Sequence, residues 1–405
     1  MTRVSSYGLA VLFAVVPLYG TLVVLDPATP PIPPLVPFRG AVAIALLVVV
    51  ALAAVVPAAL RAARRDALTF AFLAPGVATI LAAITGFDPF LGIWFGVLVT
   101  AQGAGGLALA RDADAATVRF CLRTFLWSAL AASLVALAMV VAHRPVAIYA
   151  YDHGRAVGTF LNPNELAAYT LIGLGVALPI AIASRGRDRL ATACALVLIV
   201  VLGATFSRWG ALSAVCGVAA YALLTRARVL LVAAVVVGLA GLGVDVLAGA
   251  QHHNPRDTEA RAVAWRTGLT TFERFPLLGV GPLAFPKTYD VFRPPDAPGT
   301  RAAVAFDPHS LPIAFAADGG IVAIVTLIAS FTIVLRRVLR DARRSSGLTR
   351  ALGFSLAAAL LALLVDVSIN TVSIFFALGL QVVPLALAAA RTDALSGAPA
   401  ADAQR

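Results

Sequence analysis

HSLPIAFAADGGIVAIVTLIASFTIVLRRVLRDARR runs from His309 to Arg344. Between Ser310 and Leu335 it carries one charged side chain, Asp318. A helix of about 20 apolar residues crosses a hydrocarbon core of about 30 Å. Backbone groups in lipid must be paired within their own segment or in a closed barrel, so this run reads as a membrane-spanning helix. Arginines follow it at once in RRVLRDARR. A histidine stands at the mouth of the span and an aspartate lies inside it, where an ionisable group is costly.

The rest of the chain repeats the pattern. It has 405 residues, 60% hydrophobic and only 13% charged, which excludes an ordinary soluble protein. Twelve spans are expected, near 7–25, 38–60, 67–85, 88–109, 120–142, 164–184, 189–206, 210–225, 228–248, 310–335, 348–367 and 370–390. The fold class is therefore all-α, a polytopic bundle forming one domain over residues 1–390, with a disordered tail at 391–405. The first run lacks a small-residue cleavage site and reads as a span.

The net charge of +11 is almost all arginine, since Lys287 is the only lysine. A basic balance can mean nucleic acid, but here its placement argues against that. Arg61, Arg64 and Arg65 follow span 2; Arg111, Arg119 and Arg123 follow span 4; Arg185, Arg187 and Arg189 follow span 6; Arg226 and Arg228 follow span 8. Every even-numbered exit is arginine-rich. That is the positive-inside pattern, with both termini cytoplasmic and membrane lipids as the partner of these charges. It places residues 143–163 and a larger loop, 249–308, on the outer face, and the 336–350 loop on the inner one. Cys121, Cys194 and Cys216 fall in or beside apolar runs without CxxC spacing and read as buried hydrophobes.

Three outer-face residues carry chemistry. Arg208, in TFSRWG, has apolar helix on both sides; it is either an interfacial anchor beside Trp209 or a cation aimed at an anionic ligand. Arg261 lies in a stretch, Thr258 to Phe275, that reads as an amphipathic helix capped by Asp257 or Thr258 and ended by Pro276. At 100° per residue it shares an apolar stripe with Trp265, Leu269 and Phe272, while Arg266 lies at the edge. Arg261 is either paired locally, including with Trp265, or functional. His309 is either a polar helix-entry residue or a general base. GVGP at Gly279–Pro282 follows a helix, not a strand, and reads as a turn. His252-His253 lack companion ligands for a metal.

Four stretches give the chain a family resemblance: RAVGTFLNPNELAAY (155–169), TFSRWG (205–210), ARAVAWRTGLTTFERFPLLGVGPLAF (260–285) and PHSLPIAFAADGGIVAI (308–324). In order and spacing they resemble the O-antigen ligase and O-antigen polymerase superfamily of bacterial inner-membrane glycosyltransferases. The resemblance implies a helical bundle with a large periplasmic loop holding short helices. It implies an undecaprenyl-diphosphate-linked glycan donor, an acceptor hydroxyl on a glycan or lipid, inversion at the anomeric carbon, and no metal or other cofactor. It maps the functional arginines onto Arg208 and Arg261 and the functional histidine onto His309. Arg155, Asn164, Glu165, Trp265, Arg266 and Asp318 are expected to line the same site. Ser310 and Asp318 stand where many members carry Asn and Glu. Ligase-like transfer is favoured; a polymerase, a protein O-glycosylating enzyme and, in another class, a membrane transporter or glycolipid exporter are the alternatives.

Overall fold

The computed structural model describes residues 2–15, 17–18, 38–144, 154–160, 162–236, 255–295, 308–368 and 375–392, with the side chains of 38–45, 255–258 and 375–382 left aside. Described elements are helical throughout: α1 (Arg3–Val15), α2 (Phe38–Ala62), α3 (Ala67–Ile84), α4 (Pro89–Asp112), α5 (Ala115–Ala142), a 3-10 turn (Gly158–Phe160), α6 (Pro163–Ala183), α7 (Arg189–Ala204), α8 (Arg208–Thr225), α9 (Pro255–Arg274), α10 (Phe285–Phe292), α11 (Leu311–Arg344), α12 (Gly347–Val367) and α13 (Phe375–Thr392). Residues 228–236 are also helical. Seven of these helices, α3, α4, α5, α6, α8, α11 and α12, are long and apolar enough to cross a bilayer.

Short polar turns set the helix ends. Asp66, Asp88, Asp114 and Asp188 cap α3, α4, α5 and α7, each carboxylate accepting a backbone N–H of the first turn. Between those caps the helices alternate in direction, so their ends gather on two faces. On one, here the turn face, Arg111 of α4 binds Asp66, Thr69 and the Ala62 carbonyl. Arg123 pairs with Asp188 at 2.7 Å. Arg391, at the end of α13, donates to the carbonyls of Ala110 and Ala113. These contacts place arginine charge on helix C-terminal carbonyls, where the helix dipole favours a cation, and on the anionic N-cap aspartates. The Arg111 guanidinium holds the Asp66 carboxyl down at about 2. On the other, the loop face, the α3–α4 turn meets residues 280–287 through Phe87 N to Val280 O, 2.8 Å, and a Lys287–Asp88 ion pair. The 3-10 turn reaches α1 through Thr159 Oγ1 to Pro17 O.

The main core runs through α1–α7 and α11–α13 and includes Phe13, Phe125, Tyr169, Leu198, Leu311 and Leu363. A smaller separate core on the loop face joins α9, α10 and α11 through Val263, Ala264, Phe285, Tyr289 and Ala317.

Three expectations are corrected. RRVLRDARR does not begin a loop at 336: α11 continues to Arg344, and only Ser345 and Ser346 separate it from α12. Hydropathy marks where lipid ends, not where a helix ends; Arg, Leu and Ala are good helix formers, and Arg337 supports the turn through Asp341 at i+4, 2.8 Å. Arg391 and Thr392, expected in a disordered tail, are helical, and Arg391 is tied to α4 and α5. The third concerns α9 and is given with the site.

Candidate functional site

α11 is not one helix. At Gly320 the backbone turns to φ 61°, ψ −158°, a region open essentially to glycine alone. The break would strand helix donors and acceptors in a lipid-facing segment. PLLGVG, Pro276 to Gly281, takes them up. Val280 N donates to Ala317 O and Gly281 N to Asp318 O, both at 2.9 Å; Ile321 N donates to Pro276 O at 2.8 Å and Val322 N to Leu277 O at 3.4 Å. The GVGP turn is thus a strap across the broken helix. Both sides need glycine. A Cβ on Gly279 would lie 2.4 Å from Ala317 O, and one on Gly320 would lie 2.4 Å from Leu277 O. Local sequence signals a turn here but not its partner, because the partner is backbone some forty residues away.

α9 docks beside the strap. It starts at Pro255, earlier than the Asp257 or Thr258 cap expected, and Pro276 follows its end. The Trp265–Leu269–Phe272 stripe is not its packed face: Leu269 is exposed. The buried residues are Ala260, Val263, Ala264, Thr267, Gly268 and Thr271. Small residues win because the helix lies close to α11, where a Cβ on Gly268 would sit 2.5 Å from Ile313. Thr267 and Thr271 each return their hydroxyl to the carbonyl four residues back at 2.8 Å, so the packed face leaves neither hydroxyl unmet. Arg261 and Trp265 flank this face, half-buried. The Trp265 indole N–H donates to the His309 carbonyl at 3.4 Å. Arg266 lies exposed.

His309 itself has φ 51°. Positive φ at His143, Arg185, Phe206 and Arg226 follows helix C-termini, its ordinary place. His309 instead precedes the N-cap residue of α11, Ser310, as Leu283, φ 62°, precedes that of α10. A non-glycine residue held there costs about 1–3 kcal/mol and persists only where its surroundings over-determine it. Trp265 is one such constraint.

A second group forms where the 3-10 turn meets the α7–α8 turn. Arg155 donates from Nε to Thr205 O at 2.8 Å and from NH2 to Asn164 Oδ1 at 3.3 Å. Ser207 Oγ donates to the same Asn164 oxygen at 2.9 Å while accepting Gly210 N at 3.0 Å as cap of α8. Ala156 N completes the junction on Ala204 O at 2.9 Å. The first residue of α8 is Arg208, exposed; Glu165 is half-buried in the first turn of α6. A cation at a helix N-terminus opposes the dipole, so an anionic ligand there would relieve both.

Of the expected site residues, hydrogen bonds thus join Arg155 with Asn164, and Trp265 with His309, while Arg261 lies one turn before Trp265. Asp318 is half-buried beside the break, its carbonyl held by the strap. His153, His252 and His253 lie outside the described residues. Among the described residues no three His, Cys, Asp or Glu side chains cluster as metal ligands.

Residues 170–328 match the family model described as O-antigen ligase. The likeness to that family covers less than half of the chain. It spans Arg208, the strap, α9, His309 and the break in α11; Arg155, Asn164 and Glu165 lie just before it. No curated protein matches the chain. Among the described residues the match takes in α8 and much of α6 and α11, three of the helices long and apolar enough to cross a membrane.

Proposed function

We propose that the chain is an O-antigen ligase-like glycosyltransferase, working at the loop face on a glycan carried by a polyprenyl diphosphate, with undecaprenyl diphosphate as the carrier expected from the family resemblance. The observation that carries this reading is His309: a titratable, strained residue at the entry of a broken membrane helix, tied through Trp265 to the helix bearing Arg261. A lipid-linked donor keeps its diphosphate at the membrane boundary, so the reacting carbon is met there. Guanidinium forks suit diphosphate oxygens, and Arg208 and Arg261 are assigned to it. Arg155, Asn164 and Glu165 shape the same face, with Arg266 and Asp318 at its margins.

In the reaction the acceptor hydroxyl oxygen forms a bond to the anomeric carbon. The bond from that carbon to the phosphate oxygen breaks, and its electron pair leaves with the diphosphate. Negative charge growing there is met by fixed cations. The hydroxyl proton passes to His309 as general base. Back-side attack inverts the carbon. The loop face is the periplasmic face, and the arginine-rich turn face, with the N-terminus of α1, is cytoplasmic.

An exporter would also use a broken helix, exposing freed backbone groups to its cargo. Here the strap occupies Ala317 O, Asp318 O, Ile321 N and Val322 N, which favours the enzyme.

The test separates binding from transfer, in purified protein in lipid nanodiscs with a lipid-linked glycan. His309→Ala is expected to bind donor normally and to lose roughly 10²–10⁴-fold in single-turnover transfer. Arg261→Ala is expected to weaken donor binding as well. Normal transfer by His309→Ala at saturating donor sinks the base assignment.

A further inference from the structure

The arginines of the turn face are not all used alike. Arg111, Arg123 and Arg391 are spent on aspartates and helix-end carbonyls within the bundle. The last two turns of α11 differ. Arg336, Leu339, Arg340, Arg343 and Arg344 surround a hollow of about 300 Å³. They follow the spacing i, i+3, i+4, i+7, i+8, which puts them on one arc of the helix. Val338 and Ala342, on the opposite side, are 2% and 1% exposed and form the packed face. Leu339 is half-buried against the main core, while the four arginines around it are exposed, so the hollow opens outward from the edge of the bundle. Among the described residues Asp341 is the carboxylate in ion-pair contact with this segment, to Arg337 at 2.8 Å and Arg340 at 3.6 Å. Five arginines against one aspartate leave the hollow strongly cationic.

The same arc continues up the helix. Below the break at Gly320, Ile321, Val325 and Ile328 fall on the side of Leu339, and they are 43%, 55% and 61% exposed. From Ile321 to Ile328 the exposed ridge is about 10 Å long at 1.5 Å per residue, and half-buried Thr332 and Leu335 carry the arc on to Arg336. An apolar ridge on an arc that ends in a cationic hollow has the shape and charge order of one amphiphile lying along the helix. Scattered positive-inside arginines need only bulk anionic lipid. A ring of four around one hollow, in line with an apolar ridge, defines a place for a single molecule.

We propose that this outward face of α11 binds one anionic phospholipid, its phosphate headgroup among Arg336, Arg340, Arg343 and Arg344 and an acyl chain along Ile321, Val325 and Ile328. The forks grip phosphate oxygens bidentately, and the ridge replaces lipid packing on one side of the chain.

Native mass spectrometry of the detergent-purified full chain, titrated with phosphatidylglycerol, phosphatidylethanolamine or inorganic phosphate, tests this. One tightly retained phosphatidylglycerol is expected, with phosphatidylethanolamine at least tenfold weaker. Each arginine near an anionic headgroup contributes roughly a fivefold factor. The triple variant Arg336→Gln, Arg340→Gln, Arg343→Gln should therefore lose roughly 100-fold in retention. The control triple Arg185→Gln, Arg187→Gln, Arg189→Gln removes equal charge from the same face and should bind as the parent does. Should the first triple fail to insert, Arg340→Gln and Arg343→Gln alone should each weaken retention several-fold. Unchanged retention in the α11 variants, or equal loss in the control, overturns the site. Displacement of phosphatidylglycerol by equimolar inorganic phosphate, or by a short-chain phosphatidylglycerol as effectively as by the long-chain lipid, reduces it to an anion contact with no place for the chain.

Discussion

The two faces of the bundle are built in different ways. The turn face is held by charge: guanidinium groups close helix ends over short connections, as Arg111 does for α2 and α3 and Arg391 for α4 and α5. The loop face is held largely by backbone, with Arg155, Ser207 and Lys287 adding side-chain bonds. The strap on α11, Phe87 on Val280 and Ala156 on Ala204 join segments distant in sequence without using a side chain. Arg155 there is bonded to Thr205 and Asn164 at the junction of the 3-10 turn with the α7–α8 turn. Counting charge would point to the turn face as the binding surface. Asking what each charge is bonded to reverses that for Arg111, Arg123 and Arg391.

The sharpest way to break this contrast is to add one methyl group to each face. Gly320→Ala combines a backbone restricted to glycine with a Cβ 2.4 Å from Leu277. It is expected to cost about 3 kcal/mol or more and to abolish transfer. Gly347→Ala, on the turn face at φ 52° but with nothing within 4 Å, should cost only the roughly 1–2 kcal/mol of the left-handed conformation and keep activity. Thermal denaturation of the two variants checks it; similar midpoints would mean that the strap is not a fixed part of the fold.

Arginine-to-lysine exchange sharpens the contrast next. Arg208→Lys and Arg261→Lys should each lose roughly 10- to 100-fold in transfer, the scale of a charge-assisted hydrogen bond of about 1.5–3 kcal/mol. Arg111→Lys should leave transfer intact while costing about 1–3 kcal/mol of stability, since the largely buried guanidinium grips both Asp66 oxygens and the Ala62 carbonyl. Comparable transfer in all three would make the loop-face arginines anchors.

A smaller effect is expected at Trp265→Phe. It keeps the ring and removes the N–H bonded to the His309 carbonyl, so about 1 kcal/mol, or several-fold in turnover, should go without a change in donor binding. Equal loss in donor binding would place the indole against the ligand instead. The smallest belongs to the Lys287–Asp88 pair, the loop face's one described ion pair between the strap region and the α3–α4 turn. The lysine hydrogen bond holds the Asp88 carboxyl below its ordinary range. A depressed carboxylate contributes stability above its unfolded value and loses it as pH falls through the folded one, so Lys287→Ala should be milder in acid than at neutral pH. A midpoint difference from the parent that is constant between pH 7 and pH 3 would remove that pair from the account.

Helix existence and most boundaries were legible because turn chemistry is local. Asp66 and Asp88 cap where the apolar runs begin, and α3 and α12 fall within a residue of expectation. The positions of Arg208 and His309, at helix entries, were legible for the same reason. What escaped was long-range or uncoupled from hydropathy. The strap's partner is backbone, and backbone leaves no residue-type signal beyond glycine. The packed face of α9 is chosen by proximity, so small residues outbid Leu269 for it. The last turns of α11 are helical in water, where a search for lipid stops.

The strap also fixes an order of construction. Pro276–Gly281 leave the ribosome well before Ala317–Val322, the residues they bond. Until α11 enters the membrane, the glycine turn has nothing to close on and α9 has no Ile313 to pack against. A nascent chain stopped before Val322 would hold both arginines and still have no assembled site. No product that ends before Val322 can close the strap, so this part of the loop face is assembled only once the first half of α11 has been made.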